Sequence, residues 1–322
     1  ESIDKAAHAV EVLGKFHVGA ILDYSVEGEK SEAGFDATLE ETLGTIEKAH
    51  SSSNIPFCVF KPTGLGSAEL LTKVQANEKL SLKEEAAYQR IIHRFDRVCA
   101  KGHAYGIPIM IDAEDSWYQN PIDRIVLDLM KKYNQEKAIV YNTYQLYRTA
   151  GLANLRNHFH EAVMNNVYFG AKLVRGAYME KERARAEKMG YESPIHPNKE
   201  ATDDAFNKAL AFCIDNKQRV SVMCGSHNEY SNQYLTLLME KHSMKPDDKR
   251  AWFAQLYGMS DNISFNLAKA GYNVVKYLPY GPVRSVMPYL LRRAAENTSV
   301  AGQSSRELTF IKKELKRRRT VN

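Results

Sequence analysis

Short runs of β-branched and aromatic residues alternate along this chain with longer stretches whose apolar positions recur every three to four residues. The short runs are Phe16–Tyr24, Ile55–Lys61, Ile107–Asp112, Ala138–Tyr144, Lys172–Arg175, Arg219–Cys224, Trp252–Tyr257 and Asn273–Leu278. Each has the length and composition of a buried strand. Stretches such as Glu84–Gly102, Pro121–Tyr133 and Thr202–Asn216 carry helical spacing. Eight strand–helix units with no long polar linker predict one closed α/β barrel, a TIM-like (β/α)8 fold over residues 1–311, followed by a basic C-terminal tail, 312–322. The competitor is a doubly wound open sheet, which announces its nucleotide site with a glycine-rich turn. The nearest candidate, Gly64-Leu65-Gly66-Ser67, lacks a third glycine and an evident strand–turn–helix context.

One unit is longer than its siblings. Between the Lys172–Arg175 strand and the Thr202 helix lies a charged segment, Met179–Lys188, then Gly190-Tyr191-Glu192-Ser193-Pro194. A long loop after a barrel strand belongs to the face where barrels do chemistry.

Composition narrows the class. The 322 residues are 44% hydrophobic and 26% charged, ordinary for a globular protein. Cys58, Cys99, Cys213 and Cys224 are far apart and read as reduced, buried thiols. His158 and His160 diverge on a helix, and no His/Cys cluster has metal-ligand spacing, so no metal site is expected. No apolar run approaches a membrane span. The net charge of +5 lies largely in Lys312-Lys313-Glu314-Leu315-Lys316-Arg317-Arg318-Arg319. Such a run is most often a solvated, frayed terminus; anionic lipid and nucleic acid are the other readings.

The chemistry-bearing residues fall at strand ends. They are Lys61, Asp112 with Glu114, Gln145, Lys172 with Arg175 and Tyr178, Ser226-His227-Asn228, Gln255 with Tyr257, and Tyr277. One strand-end lysine is commonly a solvated cap. Polar residues at this many ends imply a ligand rich in acceptors. Near the C-terminus, Tyr289, Arg292, Arg293 and Glu296 stand three and four apart. On a helix they would share a face offering two guanidinium forks, a carboxylate and a ring. That set suits a free amino acid, although a solvated ion-pair helix has the same pattern.

Four segments taken together carry a resemblance: Ile111-Asp112-Ala113-Glu114, Lys172-Leu173-Val174-Arg175-Gly176-Ala177-Tyr178, Gln255-Leu256-Tyr257-Gly258 and Tyr289-Leu290-Leu291-Arg292-Arg293 with Glu296-Asn297. In order and type they resemble proline dehydrogenase, and Glu182-Arg183-Ala184-Arg185 is most similar to its stand-alone, eukaryotic-like branch. The resemblance implies an FAD-dependent barrel with its last helix across the mouth. It implies oxidation of L-proline to Δ1-pyrroline-5-carboxylate, the first step of proline catabolism, by hydride transfer from C5 to flavin N5, with electrons passed to ubiquinone at a membrane surface. By the same matching, Arg292 and Arg293 clamp the substrate carboxylate near Lys61. Tyr277, Tyr289 and Tyr178 wall the ring, and Asp112 organises the basic cluster. Gln145, Lys172, Arg175, Gly176, Ala177, Thr202, Ser226, His227, Asn228, Gln255 and Glu296 line the cofactor, and Glu27 gates the mouth by pairing with Arg292.

Two departures bear on this transfer. Bifunctional bacterial members carry Arg at Lys172, Lys at Arg175 and Trp at Met179, which leaves open the cation that approaches flavin N5. No aldehyde-dehydrogenase half follows, so a separate pyrroline-5-carboxylate dehydrogenase is expected downstream. The compartment implied is a bacterial cytoplasm or the mitochondrial matrix, peripheral to the inner membrane, and no nucleic-acid partner is expected. A 4-hydroxyproline dehydrogenase shares nearly all the motifs, with Tyr277 as the discriminator. A Schiff-base aldolase through Lys61 and an inactive binding barrel are alternatives from other classes.

Overall fold

A computed structural model describes residues 3–26 and 28–281, with side chains from residue 6, together with residues 287, 291, 309 and 312–319. The chain divides into two compact units, Glu1–Gly281 and Pro282–Asn322. In the first unit the order is α1 (Ile3–Gly14), β1 (Val18–Tyr24), α2 (Glu32–His50), β2 (Phe57–Phe60), α3 (Pro62–Leu65), α4 (Ala68–Gln75), α5 (Leu82–Tyr105) and β3 (Ile109–Ile111). There follow α6 (Gln119–Tyr133), β4 (Val140–Gln145), α7 (Gly151–Met164), β5 (Phe169–Val174), α8 (Met179–Met189) and α9 (Lys199–Asp215). The unit ends with β6 (Val220–Gly225), α10 (Glu229–Lys241), β7 (Ala251–Leu256), α11 (Asp261–Lys269) and β8 (Val274–Tyr280).

The strands form a closed barrel in sequence order, every neighbouring pair parallel. Closure is made by β1 against β8, paired from Val18↔Val274 to Tyr24↔Tyr280. All eight expected strands are present. The fifth begins at Phe169, three residues before its expected start, because Phe169, Gly170 and Ala171 are as buried as the residues after them.

Strand alternation explains the two cores. Ile21, Phe57, Val59, Met110, Tyr141, Met223, Ala254, Val275 and Tyr277 cluster together and fill the barrel interior. Their neighbours, such as Ala20, Leu22, Cys58, Phe60, Phe253 and Val274, pack outward on the helices. Helix ends carry local signals: α5 opens on a Ser81/Glu84 capping box and closes on Gly106 at φ +69°.

Two details differ from the sequence reading. Gly64 and Gly66 do follow a strand and sit at α3, but their bareness serves packing. A Cβ would lie 2.7 Å from the Val26 carbonyl at Gly64 and 2.5 Å from Ile91 at Gly66. Residues 312–319, read as a frayed tail, are helical, with Glu314 paired to Arg317 and Arg318.

Candidate active site

The interior face that holds Ile21, Val59 and Met110 continues two residues further along each strand to Asp23, Lys61 and Asp112. Lys172 occupies the interior face of β5. These four side chains form one line of alternating charge at the mouth. Lys61 Nζ donates to both oxygens of Asp23, at 3.2 and 3.0 Å, and to Asp112 Oδ2 at 2.9 Å. Lys172 Nζ donates to the other Asp112 oxygen at 2.5 Å. Its ammonium lies 4.5 Å from the centre of the Tyr277 ring. Ser25 Oγ also donates to Asp23, at 3.0 Å. Asp23, Lys61 and Lys172 are buried.

Two acids and two bases leave the line neutral, so its burial is sustained by mutual pairing. Burial alone would raise the Asp112 carboxyl; the charges of Lys172 and Lys61 outweigh that and hold it down to about 2. Tyr277 is buried, and its hydroxyl lies 3.6 Å from Met110 Sδ. The ring is thus fixed by a cation on one side and a thioether at its tip.

Arg175 follows the end of β5 with the opposite parity and faces the helix layer. Its Nε donates to Asp203 on α9 at 2.6 Å, and its two terminal nitrogens reach Ser226 Oγ at 2.7 Å and Ser231 Oγ at 3.0 Å. The guanidinium also stands 4.5 Å from the Phe206 ring centre. Gln255 turns outward as well: its amide donates to the Ser226 carbonyl and Asn232, and its oxygen accepts from Ser264. Arg175 and Gln255 therefore brace the Ser226–Asn228 loop from two sides. In that loop His227 Nδ1 meets Ser260 Oγ at 2.9 Å, and Asn228 caps α10 by accepting from Ser231 N. Gln145 donates to the Glu114 carbonyl at 2.7 Å, while the Glu114 carboxylate accepts from Thr63 N and Oγ1.

Gly176 has φ +140°, and a Cβ there would strike the Tyr147 ring at 2.5 Å, so only glycine carries the chain past this point. Ala177 and Tyr178 lead from it, half-buried, into α8. The charged insertion is this helix. Glu182, fully buried, accepts from Ser116 N and Oγ at 2.6 Å each, and Lys181 donates to Asp115 at 2.5 Å. Both contacts fasten α8 to the loop after β3. Thr202 is buried on α9 and donates to the Asn198 carbonyl.

The structure thus gathers Lys61, Asp112, Lys172 and Tyr277 into one contact network and joins Arg175, Ser226, Asn228 and Gln255 into a second. Tyr289, Arg292, Arg293, Glu296 and Glu27 lie outside the described residues. Sequence reading missed Asp23, Asp203, Ser231 and Ser260 as partners. Asp23 had a usable signal, since it follows Ile21 with interior parity; the others act from helices and loops. Among the described residues no group of three His, Cys, Asp or Glu is placed to hold a metal, and no helix is long and apolar enough to cross a membrane. All four cysteines are free and buried.

The donor set can be matched against a flavin dinucleotide. Arg175 and Lys172 supply cations, Gln145, Ser226 and His227 supply neutral polar groups, and α10 presents its N-terminus beside the Ser226–Asn228 loop. A diphosphate suits a helix N-terminus with a nearby guanidinium, and a heterocycle with both donors and acceptors suits carboxamides and hydroxyls. The residues fit.

The profile of the family described as proline dehydrogenase matches residues 6–306. The carbapenem antibiotics biosynthesis protein CarD of Pectobacterium carotovorum is 35% identical over 320 residues, covering 99% of this chain and 82% of that protein. Human mitochondrial proline dehydrogenase 1 is 42% identical over 244 residues, 74% of this chain and 41% of the human protein. The Drosophila melanogaster counterpart is 40% identical over 73% of this chain and 36% of its own length. The chain therefore spans less than half the length of these animal relatives. Among solved structures, the proline utilization A of Bdellovibrio bacteriovorus, inactivated by N-propargylglycine, superposes with a TM-score of 0.82 at 20% identity, over 94% of this chain and 32% of that one. That likeness concerns the fold.

Proposed function

This chain belongs to the proline dehydrogenase family, and from that premise we propose that it oxidises L-proline to Δ1-pyrroline-5-carboxylate with FAD as cofactor. The observation that carries the reading is the Asp23–Lys61–Asp112–Lys172 line ending at the Tyr277 face. It is a prepaid electrostatic floor for a small zwitterion. Lys61 is salt-bridged on two sides, the opposite of the uncompensated, desolvated lysine that forms Schiff bases, which disfavours an aldolase.

Lys172, Arg175, Gln145, Ser226 and His227 would hold the cofactor, with Gly176, Ala177, Thr202, Asn228, Gln255 and Glu296 around it. When bound, FAD supplies the two-electron acceptor. The protein's own residues position the substrate. Arg292 and Arg293 bind its carboxylate, Tyr277, Tyr289 and Tyr178 wall its ring, and Glu27 closes the mouth by pairing with Arg292. Electrons pass onward to a quinone.

A second reading rests on the Pectobacterium relative, whose name concerns carbapenem biosynthesis and whose match runs over 99% of this chain. On that reading the substrate is a proline-like cyclic amino acid from a biosynthetic route. One experiment separates the cases. The visible spectrum of the purified protein should show a flavin band that bleaches on anaerobic addition of L-proline. A flavin band unmoved by proline but bleached by a substituted proline would favour the second reading, and no flavin band would remove both.

A further inference from the structure

We propose that Asp123 is a positioning residue for the cofactor side of the mouth, and that one ordered water bridges it to Arg148. Asp123 lies on α6 and is buried. Two neutral amides hold it: Gln119 Nε2 and Asn142 Nδ2 both donate to Oδ1, at 2.9 Å each. A buried carboxylate held only by neutral groups is costly unless its other oxygen also finds a donor. Asp123 faces a cavity of about 10 Å³ that it shares with Gln119, Thr143, Gln145, Arg148 and Asn154. That is room for about one water sphere. Across it, the Nε–H of Arg148 is shut off from solvent without a hydrogen-bond partner.

The two charges select the occupant. A cation would meet the guanidinium, and an anion would meet the carboxylate. Water accepts from Arg148 Nε and donates to Asp123 Oδ2, so it satisfies both. Burial lifts the Asp123 carboxyl above its ordinary range, while His158, the two amides and Arg148 draw it back. From Asp123 a run of hydrogen bonds leads to the candidate cofactor site. Gln119 turns its nitrogen to Asp123, and its oxygen accepts from Glu114 N at 2.8 Å. The Glu114 carbonyl accepts from Gln145 Nε2 at 2.7 Å. The Glu114 N–H can only donate and a carboxylate can only accept, so the Gln119 amide fits in one orientation. An apolar residue at position 123 frees that amide to turn, and Glu114 and Gln145 lose a fixed neighbour. The link to flavin rests on the reading of Gln145 as a cofactor residue; the water and the hydrogen-bond run do not.

The test compares the full chain as parent, Asp123→Leu and Asp123→Asn. A crystal structure of the parent should show water density about 3 Å from both Asp123 Oδ2 and Arg148 Nε. Asp123→Leu removes both acceptors at similar volume and should weaken flavin binding about tenfold, the usual effect of losing a hydrogen bond to a charged group. Asp123→Asn keeps an acceptor at the Oδ1 position and should hold flavin within about twofold of the parent. Flavin-loaded variants should keep KM for proline near the parent's, because the line from Asp23 to Lys172 is untouched. A residue that serves only stability would shift the thermal transition without separating flavin affinity from KM. If Asp123→Leu does not fold, Gln119→Met breaks the run at its next member and should show the same loss. Parent-like flavin affinity in Asp123→Leu, or an equal loss in Asp123→Asn, would overturn the positioning role. A metal cation in the cavity, or no density between Asp123 and Arg148, would overturn the bridge. A parent without flavin would sink the proposed function instead, and Gln119 and Gln145 keeping their Glu114 bonds in crystals of Asp123→Leu would then overturn the positioning role.

Discussion

The Lys172 ammonium sits over the face of the Tyr277 ring, 4.5 Å from its centre, and is anchored by Asp112 from the other direction. A buried cation over an aromatic face is worth about 2 kcal/mol when desolvated. The side chain expected to set substrate preference is thereby coupled to the charge line that the substrate would meet.

Tyr277→Ser should lower kcat/KM for proline and move the proline-to-4-hydroxyproline ratio towards the hydroxylated substrate by about 1–3 kcal/mol, the range for one pocket contact. Tyr277→Phe keeps the ring over Lys172 and should preserve most of the ratio. Steady-state kinetics with both substrates check this. Equal losses for both in Tyr277→Ser would show that the residue does not discriminate.

Asp23→Ala removes one of the two carboxylates that flank Lys61 and leaves a buried ammonium half-compensated. The expected loss is about 3–5 kcal/mol in denaturant unfolding, typical of breaking a buried pair from one side. A loss below about 1 kcal/mol, the worth of an exposed pair, would place this bridge in water.

Acid should dismantle the same line. The Asp112 carboxyl is held down to about 2 from an ordinary 3.8. Its contribution is therefore fully present above pH 3.8 and is lost as pH falls towards 2, on the order of 2 kcal/mol. Unfolding free energies measured across that window should fall in the parent. They should fall less steeply in Asp112→Asn, and parallel curves would contradict the assignment.

Arg292→Met and Arg293→Met should mainly raise KM for proline, because a carboxylate clamp acts in ground and transition states alike. Loss of one charge-assisted partner should cost about 2–4 kcal/mol in kcat/KM. Unchanged KM with normal flavin content would mean that neither arginine touches substrate.

Lys276 is fully buried, and its ammonium donates to the Met259 carbonyl at 2.5 Å and to Asp261 at 2.8 Å. It thereby holds the loop from which Ser260, at φ +52°, meets His227. Lys276→Met should weaken flavin retention on dialysis while leaving KM for proline near the parent value. Full retention would separate the loop from the cofactor site.

Much of this site was legible locally. The eight apolar runs marked the strands, and two-residue alternation assigns Asp23, Lys61, Asp112, Lys172 and Tyr277 to the barrel interior, since each lies an even number of residues from an interior-facing position. The same rule turns Arg175 and Gln255 towards the helix layer, where they brace the Ser226–Asn228 loop and stand a layer back from the interior line. The sequence by itself determined strand number and side-chain parity, because those depend on neighbours within a few residues. The tertiary structure alone decided which acid meets which base. Lys61 is shared by Asp23 and Asp112, which are 38 and 51 residues away, and Asp112 is shared in turn with Lys172, 60 residues away. Those pairings require neighbouring strands to sit in register, Leu22 beside Cys58 and Phe60 beside Ile111, so that strand ends remote in the chain share one rim. Periodicity carries no information about that stagger; the packed interior sets it.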